Sequence, residues 1–495
     1  MVANAKADKV EINIGYGYSR IVNSKAAIEL AAEKFSAFAR NAQYSKLYQN
    51  GLWDGRECMV SRKDGSFGTG LAEELVPFIS NELDGNVIVK DLRNPPEKIY
   101  NFEWKLTEPM RDAQTEALDV LHKKTIGIIK MPTGTGKTRL FSKLIQEMGM
   151  RTIVCVPSKE LLYQTAQVLE NSIGGKDFKL GLWGDGKYPA ENSTVVVAMY
   201  PTLVSNRGKG EMDIRVQFIE TMSAFELLIC DECHKVCSND IITKTWQTVM
   251  DINTYYRYGF SATPYEKKDT VAELLQRSAF GNVIYDIPME KAREDGYVTP
   301  FTVYFVKPEY PREYTKFGTT GMTWNEAHDY YIGTNSIRND AVIECTKLLL
   351  EDGRKTLVIA QRIEHNEYLA KKLAEVIGEE NVYLLHGQLD SNYRKAAMAE
   401  YKARRDPCVM VASSVGNDGI DIPDISGIVL AHGGKSFFQN VQRTGRGLRT
   451  FKGKKDLVFI DFDDSDLGRW FQQHTKARLG YYKELGVEAI HLKDM

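Results

Sequence analysis

The segment Met131-Pro132-Thr133-Gly134-Thr135-Gly136-Lys137-Thr138 can cradle a chain of phosphates. It follows the apolar, β-prone run Ile126–Lys130 and precedes Arg139–Ile145, whose apolar residues have helical spacing. A strand, a glycine turn and a helix start are the setting a phosphate-binding loop needs. Backbone N–H groups of Thr133, Gly134, Thr135 and Gly136 would then point at a triphosphate. Lys137 would reach its outer phosphates, and the Thr138 hydroxyl would ligate Mg²⁺. Met131 stands where the pattern has its first glycine. A second group of reactive residues closes the run Leu228-Ile229-Cys230-Asp231-Glu232-Cys233-His234, an apolar strand delivering two acids at its end. In parallel α/β sheets, ligands bind at that edge. Asp231 is suited to Mg²⁺ and Glu232 to orienting and deprotonating an attacking water. Far downstream, Arg446 and Arg449 are three apart and share a helical face, which could present two guanidinium groups to phosphates.

The elements that must position these residues follow a regular alternation. From about 105 to 290 the expected strands are Ile126–Ile129, Thr152–Val156, Thr194–Ala198, Leu227–Cys230 and Tyr256–Phe260. Near-continuous apolar strands separated by helices predict a parallel sheet covered on both faces. The proline- and glycine-bearing stretch 291–335 reads as a connector with some added structure. Alternation resumes over 336–470 with strands at Thr356–Ala360, Val382–Leu385, Cys408–Ala412, Gly427–Ala431 and Leu457–Ile460, but with no second phosphate-binding loop. Residues 471–495 form a tail. Ahead of these domains, residues 1–95 read as a small α+β unit. Val10, Ile12, Ile14, Tyr16 and Tyr18 alternate as a strand, Ala26–Ala39 and Leu71–Leu83 have helical character, and Asn86–Leu92 reads as another strand. Lys63-Asp64-Gly65-Ser66 reads as a hairpin turn. Asn94-Pro95-Pro96-Glu97-Lys98 reads as a linker. The fold class is α/β: two tandem parallel-sheet domains preceded by a small α+β domain.

Bulk properties narrow the function classes. The 495 residues are enough for roughly three domains of about 150 residues. With 64 basic and 66 acidic residues there is no global nucleic-acid signature, so any basic track must be local. No apolar run approaches the ~18–20 residues that span a bilayer, so no membrane partner is expected. The seven cysteines are scattered through a long chain and suit a reducing, intracellular setting. Cys230, Cys233, His234 and Cys237 lie close together, yet no second ligand pair follows at the spacing of a structural zinc site. No structural zinc is expected.

Taken in order, these motifs resemble those of the superfamily 2 DExH-box helicases over roughly residues 105–465. Asp231-Glu232-Cys233-His234 resembles the DExH box, which implies ATP and Mg²⁺ as cofactors and two RecA-like domains. The resemblance also implies roles for further residues. Met110–Gln114 looks like the adenine-recognising segment, with Arg111 and Gln114 as candidates. Val154–Leu161 resembles a backbone-gripping motif that places Pro157 and Ser158 on nucleic acid, and Ala198–Leu203 places Thr202 there. Ser261-Ala262-Thr263-Pro264 resembles the motif that couples hydrolysis to domain movement, with His234, Ser261, Thr263 and Gln442 as coupling residues. In the second domain Leu357–Ala360 and Leu385-His386-Gly387 resemble the next two motifs, with His386 and Gly387 as strand contacts. Ala412–Pro423 resembles motif V, with Ser413 where threonine is usual and Gly419 and Asp421 toward the nucleotide. Gln442–Arg449 resembles motif VI, making Arg446 and Arg449 catalytic arginines beside Lys137 and Glu232.

The segment Tyr48-Gln49-Asn50-Gly51-Leu52-Trp53-Asp54-Gly55-Arg56 resembles the small N-terminal domain of phage UvsW-type helicases, and Val429–Ser436 resembles the same group. That resemblance implies remodelling of branched DNA, including forks, junctions, R-loops or D-loops, with Trp53 and Arg56 as nucleic-acid contacts. It implies DNA over RNA, with an RNA–DNA hybrid as a further substrate, and a phage-encoded enzyme acting in the host cytoplasm. A duplex translocase resembling XPB-like cores, an RNA helicase and a nucleic-acid-binding scaffold are the alternatives. Intact Lys137, Thr138, Asp231, Glu232, Arg446 and Arg449 argue against the scaffold.

Overall fold

Strands that are apolar on both faces need cover on both faces, and the computed structural model meets that need with two separate seven-stranded parallel sheets. It describes residues 9–207, 221–222, 224–237, 242–265, 270–312, 314, 319–413, 424–434, 454–484 and 487–493. Two compact units divide at Ile287/Pro288, with the four residues Pro132–Thr135 grouped with the second.

The first unit begins with β1 (Val10–Ile14) and β2 (Tyr18–Ile21), which pair antiparallel. The alternation expected to run unbroken to Tyr18 therefore turns back after Ile14, at the glycine-flanked Gly15-Tyr16-Gly17. The first helix spans Lys25–Lys34, capped by Ser24, and ends earlier than its composition predicts. Beyond Phe35 the chain becomes β3 (Ser36–Phe38), paired antiparallel with β4 (Arg56–Cys58). The turn at Asp64-Gly65 forms, closed by Ser61 N–H donating to Ser66 O (2.8 Å). Its two flanking strands nevertheless serve different sheets, because β5 (Ser66–Gly68) pairs with β2. After the helix Ala72–Glu82, β6 (Val87–Asp91) adds parallel to β1.

This small sheet is docked on the rest of its unit. Gly68 and Gly70 lie against Arg277 and Ser278 of the helix Val271–Phe280, so closely that a Cβ on Gly70 would strike the Arg277 carbonyl. Arg277 pairs with Glu74, and Tyr18 meets Trp246 edge-on at 6.2 Å. One apolar core runs from Ile12 and Leu75 through to Leu275 and Phe280.

A short pair, β7 (Glu103–Trp104) with β10 (Ile173–Gly174), ties the linker region to the sheet that follows. That sheet comprises β8 (Ile126–Lys130), β9 (Thr152–Val156), β11 (Leu180–Trp183), β12 (Val195–Met199), β13 (Leu227–Asp231), β14 (Tyr256–Ser261) and β15 (Val283–Asp286). Their order is β11-β12-β9-β13-β14-β8-β15. The five central strands coincide with the expected ones. The rim strands β11 and β15 are short and only partly buried, which is why their sequences carry a weak apolar signal.

The second unit repeats the plan with β16 (Phe301–Lys307), β17 (Thr356–Ala360), β18 (Val382–Leu385), β19 (Val409–Ser413), β20 (Gly427–Leu430), β21 (Leu457–Phe462) and β22 (Ile490–Lys493), ordered β18-β19-β17-β20-β21-β16-β22. Two expectations need correction. The stretch read as a connector contributes β16, an interior strand, because Pro300 and Pro308 bound the strand and do not interrupt it. The stretch read as a tail contributes most of the helix Arg469–Glu484 and the edge strand β22. Among the described residues no helix is long and apolar enough to cross a membrane.

Two predictions follow from this packing. Gly70→Leu should loosen the N-terminal sheet from its helix at a cost of about 1–3 kcal/mol, visible as faster proteolysis ahead of residue 105. In the second unit, burial and then nearby arginines hold His328 down to about 4 and His365 to about 3, while burial holds His432 well below the ordinary 6.5. These histidines are neutral in the native state, whereas the unfolded chain takes up protons below pH 6.5. Their full stability contribution is present above that pH and is lost as pH falls toward 4, by about 1.4 kcal/mol per pH unit for each histidine. Denaturant midpoints between pH 7 and 4.5 should show the fall, and His365→Gln should lessen its slope.

Candidate nucleotide site

Because all strands of the first sheet run parallel, their carboxyl ends share one edge. The register pairs Lys130 with Ser261 and Asp231 with Phe260, so the turn after β8, the loop after β14 and the acidic end of β13 stand side by side. At that edge Gly134 and Gly136 have φ of +90° and +87°, backbone only glycine adopts freely. Met131 has no such positive φ and buries its side chain completely, so this position has no need of glycine. Gly136 caps the helix Lys137–Met148, whose first turn carries Thr138. Thr135 Oγ1 donates to Pro132 O (2.6 Å) and closes the turn from within. Thr133 sits half-buried beside it.

Gln114 backs this turn. Its Nε2 donates to Gly136 O (3.2 Å) and its Oε1 accepts from Arg111 N–H (3.1 Å), forming a cap on the helix Asp112–Lys123. The adenine candidates and the phosphate loop are thereby one connected piece.

Lys137 Nζ donates to Met131 O (3.2 Å) and lies 4.0 Å from Glu232 Oε1, with both side chains largely buried. Glu232 adopts φ +49°, ψ 48°, a left-handed conformation that strains a non-glycine residue. Asp231 accepts from the Glu232 N–H through Oδ1 (3.0 Å). Burial first, and the Glu232 charge second, push the Asp231 carboxyl up to about 7, while Lys137 opposes the rise. Two adjacent acids with so little water require positive charge to ionise together. That electrostatic deficit fits a divalent cation, which Asp231 and Thr138 would hold. A glycine turn at a helix N-terminus fits a phosphate chain.

A further chain of contacts leads away from Glu232. His234 Nδ1 is 3.3 Å from Glu232 Oε2 and 2.9 Å from Ser261 Oγ, and Ser261 Oγ accepts from Thr263 N–H (3.1 Å). The hydroxyl of Thr263 is buried with no hydrogen-bond partner among the described residues. The residues expected to couple hydrolysis to movement are thus in contact, apart from Gln442. Tyr200 was not singled out by its sequence: its hydroxyl donates to Asp231 O (3.0 Å) from the buried helix start at 200, and nothing in spacing alone signals it.

The expected nucleic-acid contacts are spread over both units. Pro157 and Ser158 follow β9 at the same carboxyl edge, where Ser158 caps the helix Lys159–Ser172. Thr202 lies on the helix Tyr200–Arg207. In the second unit His386 is buried near Glu367 at 3.4 Å while Gly387 is exposed, so the loop offers backbone and not imidazole. Ser413 ends β19 with its hydroxyl buried. Trp53 Nε1 donates to Arg56 O (2.9 Å), and the Arg56 guanidinium holds Ser36 through Oγ and O. Gly419, Asp421, Gln442, Arg446 and Arg449 lie outside the described residues. Cys230, Cys233 and Cys237 belong to the apolar core beneath the sheet.

With this geometry in view, residues 107–266 match the family model for the type III restriction enzyme res subunit, and residues 339–451 match that for the helicase conserved C-terminal domain. The chain is 22% identical over 511 residues to the ATP-dependent DNA helicase uvsW of Enterobacteria phage T4, covering 96% of this chain and 95% of that protein. It is 25% identical over 387 residues to the DNA 3'-5' translocase XPB2 of Sulfurisphaera tokodaii, covering 71% of this chain and 81% of that protein. Among solved structures, the ATP-dependent type ISP restriction-modification enzyme LlaBIII bound to DNA matches with a TM-score of 0.55 at 14% identity, over 78% of this chain and 32% of that one, a likeness of fold.

The Ser261 contacts generate a test. Ser261→Ala leaves His234 Nδ1 without its hydroxyl partner, at a cost of about 1–3 kcal/mol. It should lower strand separation more than ATP hydrolysis, and parallel assays of the two on one DNA would measure the difference.

Proposed function

We infer that this chain, a superfamily 2 helicase resembling the UvsW type and a nucleic-acid-dependent ATPase, uses ATP to unwind or branch-migrate branched DNA. The observation that carries the branched-DNA part is coverage. The likeness to the phage helicase extends over the small N-terminal domain as well as both sheets, whereas the likeness to the archaeal translocase takes in 71% of the chain. The docking of that domain on the helix Val271–Phe280 supports a joint role with the motor.

In this reading Lys137 binds the outer phosphates, and Glu232 takes a proton from the attacking water. Bound Mg²⁺ would neutralise charge between phosphate oxygens, with Thr138 and Asp231 as its protein ligands. The Glu232 carboxylate, on strained left-handed backbone, lies 4.0 Å from the Lys137 ammonium. His234 and Ser261 would pass the state of that carboxylate to the loop at Thr263. Arg446 and Arg449 would add guanidinium groups for the nucleotide's phosphate charge. Contacts to DNA would fall mainly on sugar and phosphate, with little sequence preference.

A duplex translocase without strand separation is the second reading, favoured by the archaeal relative. ATPase and strand-separation assays on single-stranded, duplex, forked and four-way-junction DNA, with an RNA–DNA hybrid, distinguish the two. Preference for forks and junctions is expected, and stimulation by plain duplex alone would instead establish the translocase. Glu232→Gln should keep ATP binding and lose turnover by about 10²–10⁴-fold. Normal hydrolysis by that variant would remove Glu232 from the role of base.

A further inference from the structure

A side-chain-bearing residue in the left-handed region, such as Glu232, persists only where its surroundings fix it. Its carboxylate has Lys137 and His234 as neighbours. Its backbone is fixed from the residues that follow. Glu232 O accepts from Lys235 N–H (2.8 Å) and Cys233 O from Val236 N–H (2.9 Å), so Cys233 opens a tight helical turn. The Cys233 side chain is fully buried. It fills a socket that exists because Gly259 of β14 has no side chain. A Cβ on Gly259 would meet Cys233 Sγ at 2.9 Å and the Phe280 ring at 3.2 Å.

Gln276 is the anomaly in this packing. It lies four residues before Phe280 on the helix Val271–Phe280 and shares its face. Gln276 is fully buried, and neither amide atom has a hydrogen-bond partner of good geometry among the described residues. The polar group it faces is the Cys233 thiol. A buried amide left in that condition weakens the fold, whereas an apolar side chain of the same size would not. Stability therefore does not account for it.

The same helix is where the N-terminal domain docks. One residue beyond Gln276, Arg277 pairs with Glu74, and Gly70 lies against Arg277 and Ser278. One residue before it, Leu275 O accepts from Trp246 Nε1 (3.0 Å), and Trp246 in turn meets Tyr18 of β2 edge-on. The helix thus reaches the N-terminal domain through the residues on both sides of Gln276, and Cys233 through Gln276 itself.

We propose that Gln276 is a positioning residue for ATP hydrolysis: it seats Cys233 in the Gly259 socket, keeps the adjoining Glu232 in its left-handed backbone, and makes turnover depend on how the N-terminal domain is docked. This role rests on the reading of Glu232 as the base. Undocking shifts the helix, withdraws Gln276 from the thiol and releases the Glu232 carboxylate from the place where it takes a proton. ATP binding is spared, because Lys137 and Gly136 are held by other contacts, to Met131 O and to Gln114.

The test measures DNA-stimulated ATP hydrolysis by the full chain. Gln276→Leu, close in volume, should lower kcat about tenfold, leave the KM for ATP unchanged and not lower the thermal midpoint. Cys233→Ala approaches the same contact from the other side and should also lower kcat, while Cys233→Ser, which keeps a polar hydrogen in the socket, should retain turnover. Gly70→Leu should lower kcat in the unaltered chain and add little on top of Gln276→Leu. Unaltered kcat in Gln276→Leu, with or without a lower thermal midpoint, would overturn the positioning role. So would losses from Gly70→Leu and Gln276→Leu that simply multiply. Should Gln276→Leu fail to fold, unaltered kcat in Cys233→Ala overturns it instead. Glu232→Gln separates this role from the reading beneath it. Normal hydrolysis by that variant removes the base and the positioning role together, whereas an inactive Glu232→Gln beside a fully active Gln276→Leu removes the positioning role alone.

Discussion

The hydrogen-bond ladder through β8, β14 and β13 is the constraint on which the candidate site depends. Lys130 opposite Ser261 and Asp231 opposite Phe260 fix three strand ends on neighbouring strands, about 5 Å from one strand to the next. A parallel ladder makes all three chains leave the sheet in the same direction, so their loops converge without any further instruction. The glycine turn, the acidic pair and the Ser261–Thr263 loop are separated by about a hundred residues of sequence or more in total. A one-residue slip of β13 or β14 would turn Asp231 or Ser261 to the opposite face of the sheet.

The site built on that ladder stores electrostatic and conformational tension in the same few residues. Asp231 is buried beside a second carboxylate, and Glu232 occupies a backbone region that costs a side-chain-bearing residue of order 1–3 kcal/mol. Lys137 offsets part of the charge from across the turn. Such an arrangement gains from any ligand that brings positive charge to the acids and negative charge to the N–H groups. The hydrogen bonds through His234 and Ser261 give the same residues a physical route to the neighbouring loop.

How much of this was legible in the sequence depends on where apolar residues concentrate. Central strands such as Thr152–Val156 and Thr356–Ala360 are buried on both faces, and their bounds can be read directly. Rim strands are half-covered, so Leu180–Trp183 and Val283–Asp286 left little trace. Phe301–Lys307 alternates clearly, but the prolines at 300 and 308 disguised a core strand as a connector. The acidic pair and the glycine turn could be placed at one sheet edge because such motifs set residue types at fixed spacing after apolar strands. Tyr200 could not, since its contact with the Asp231 carbonyl arises from three-dimensional proximity. Trp53 and Arg56 also make contacts that spacing does not signal, Trp53 to the Arg56 carbonyl and the Arg56 guanidinium to Ser36 on β3.

Met131 carries a consequence for how such enzymes are found. The phosphate loop is commonly searched for as a string of letters that opens on glycine. Here the opening position is ordinary backbone with its side chain sealed in the core, while the left-handed turn is confined to Gly134 and Gly136. The physical requirement is a pair of torsion angles, and the letters are only its usual shadow. A catalogue compiled by spelling would pass over this chain, whereas one compiled by backbone shape would keep it.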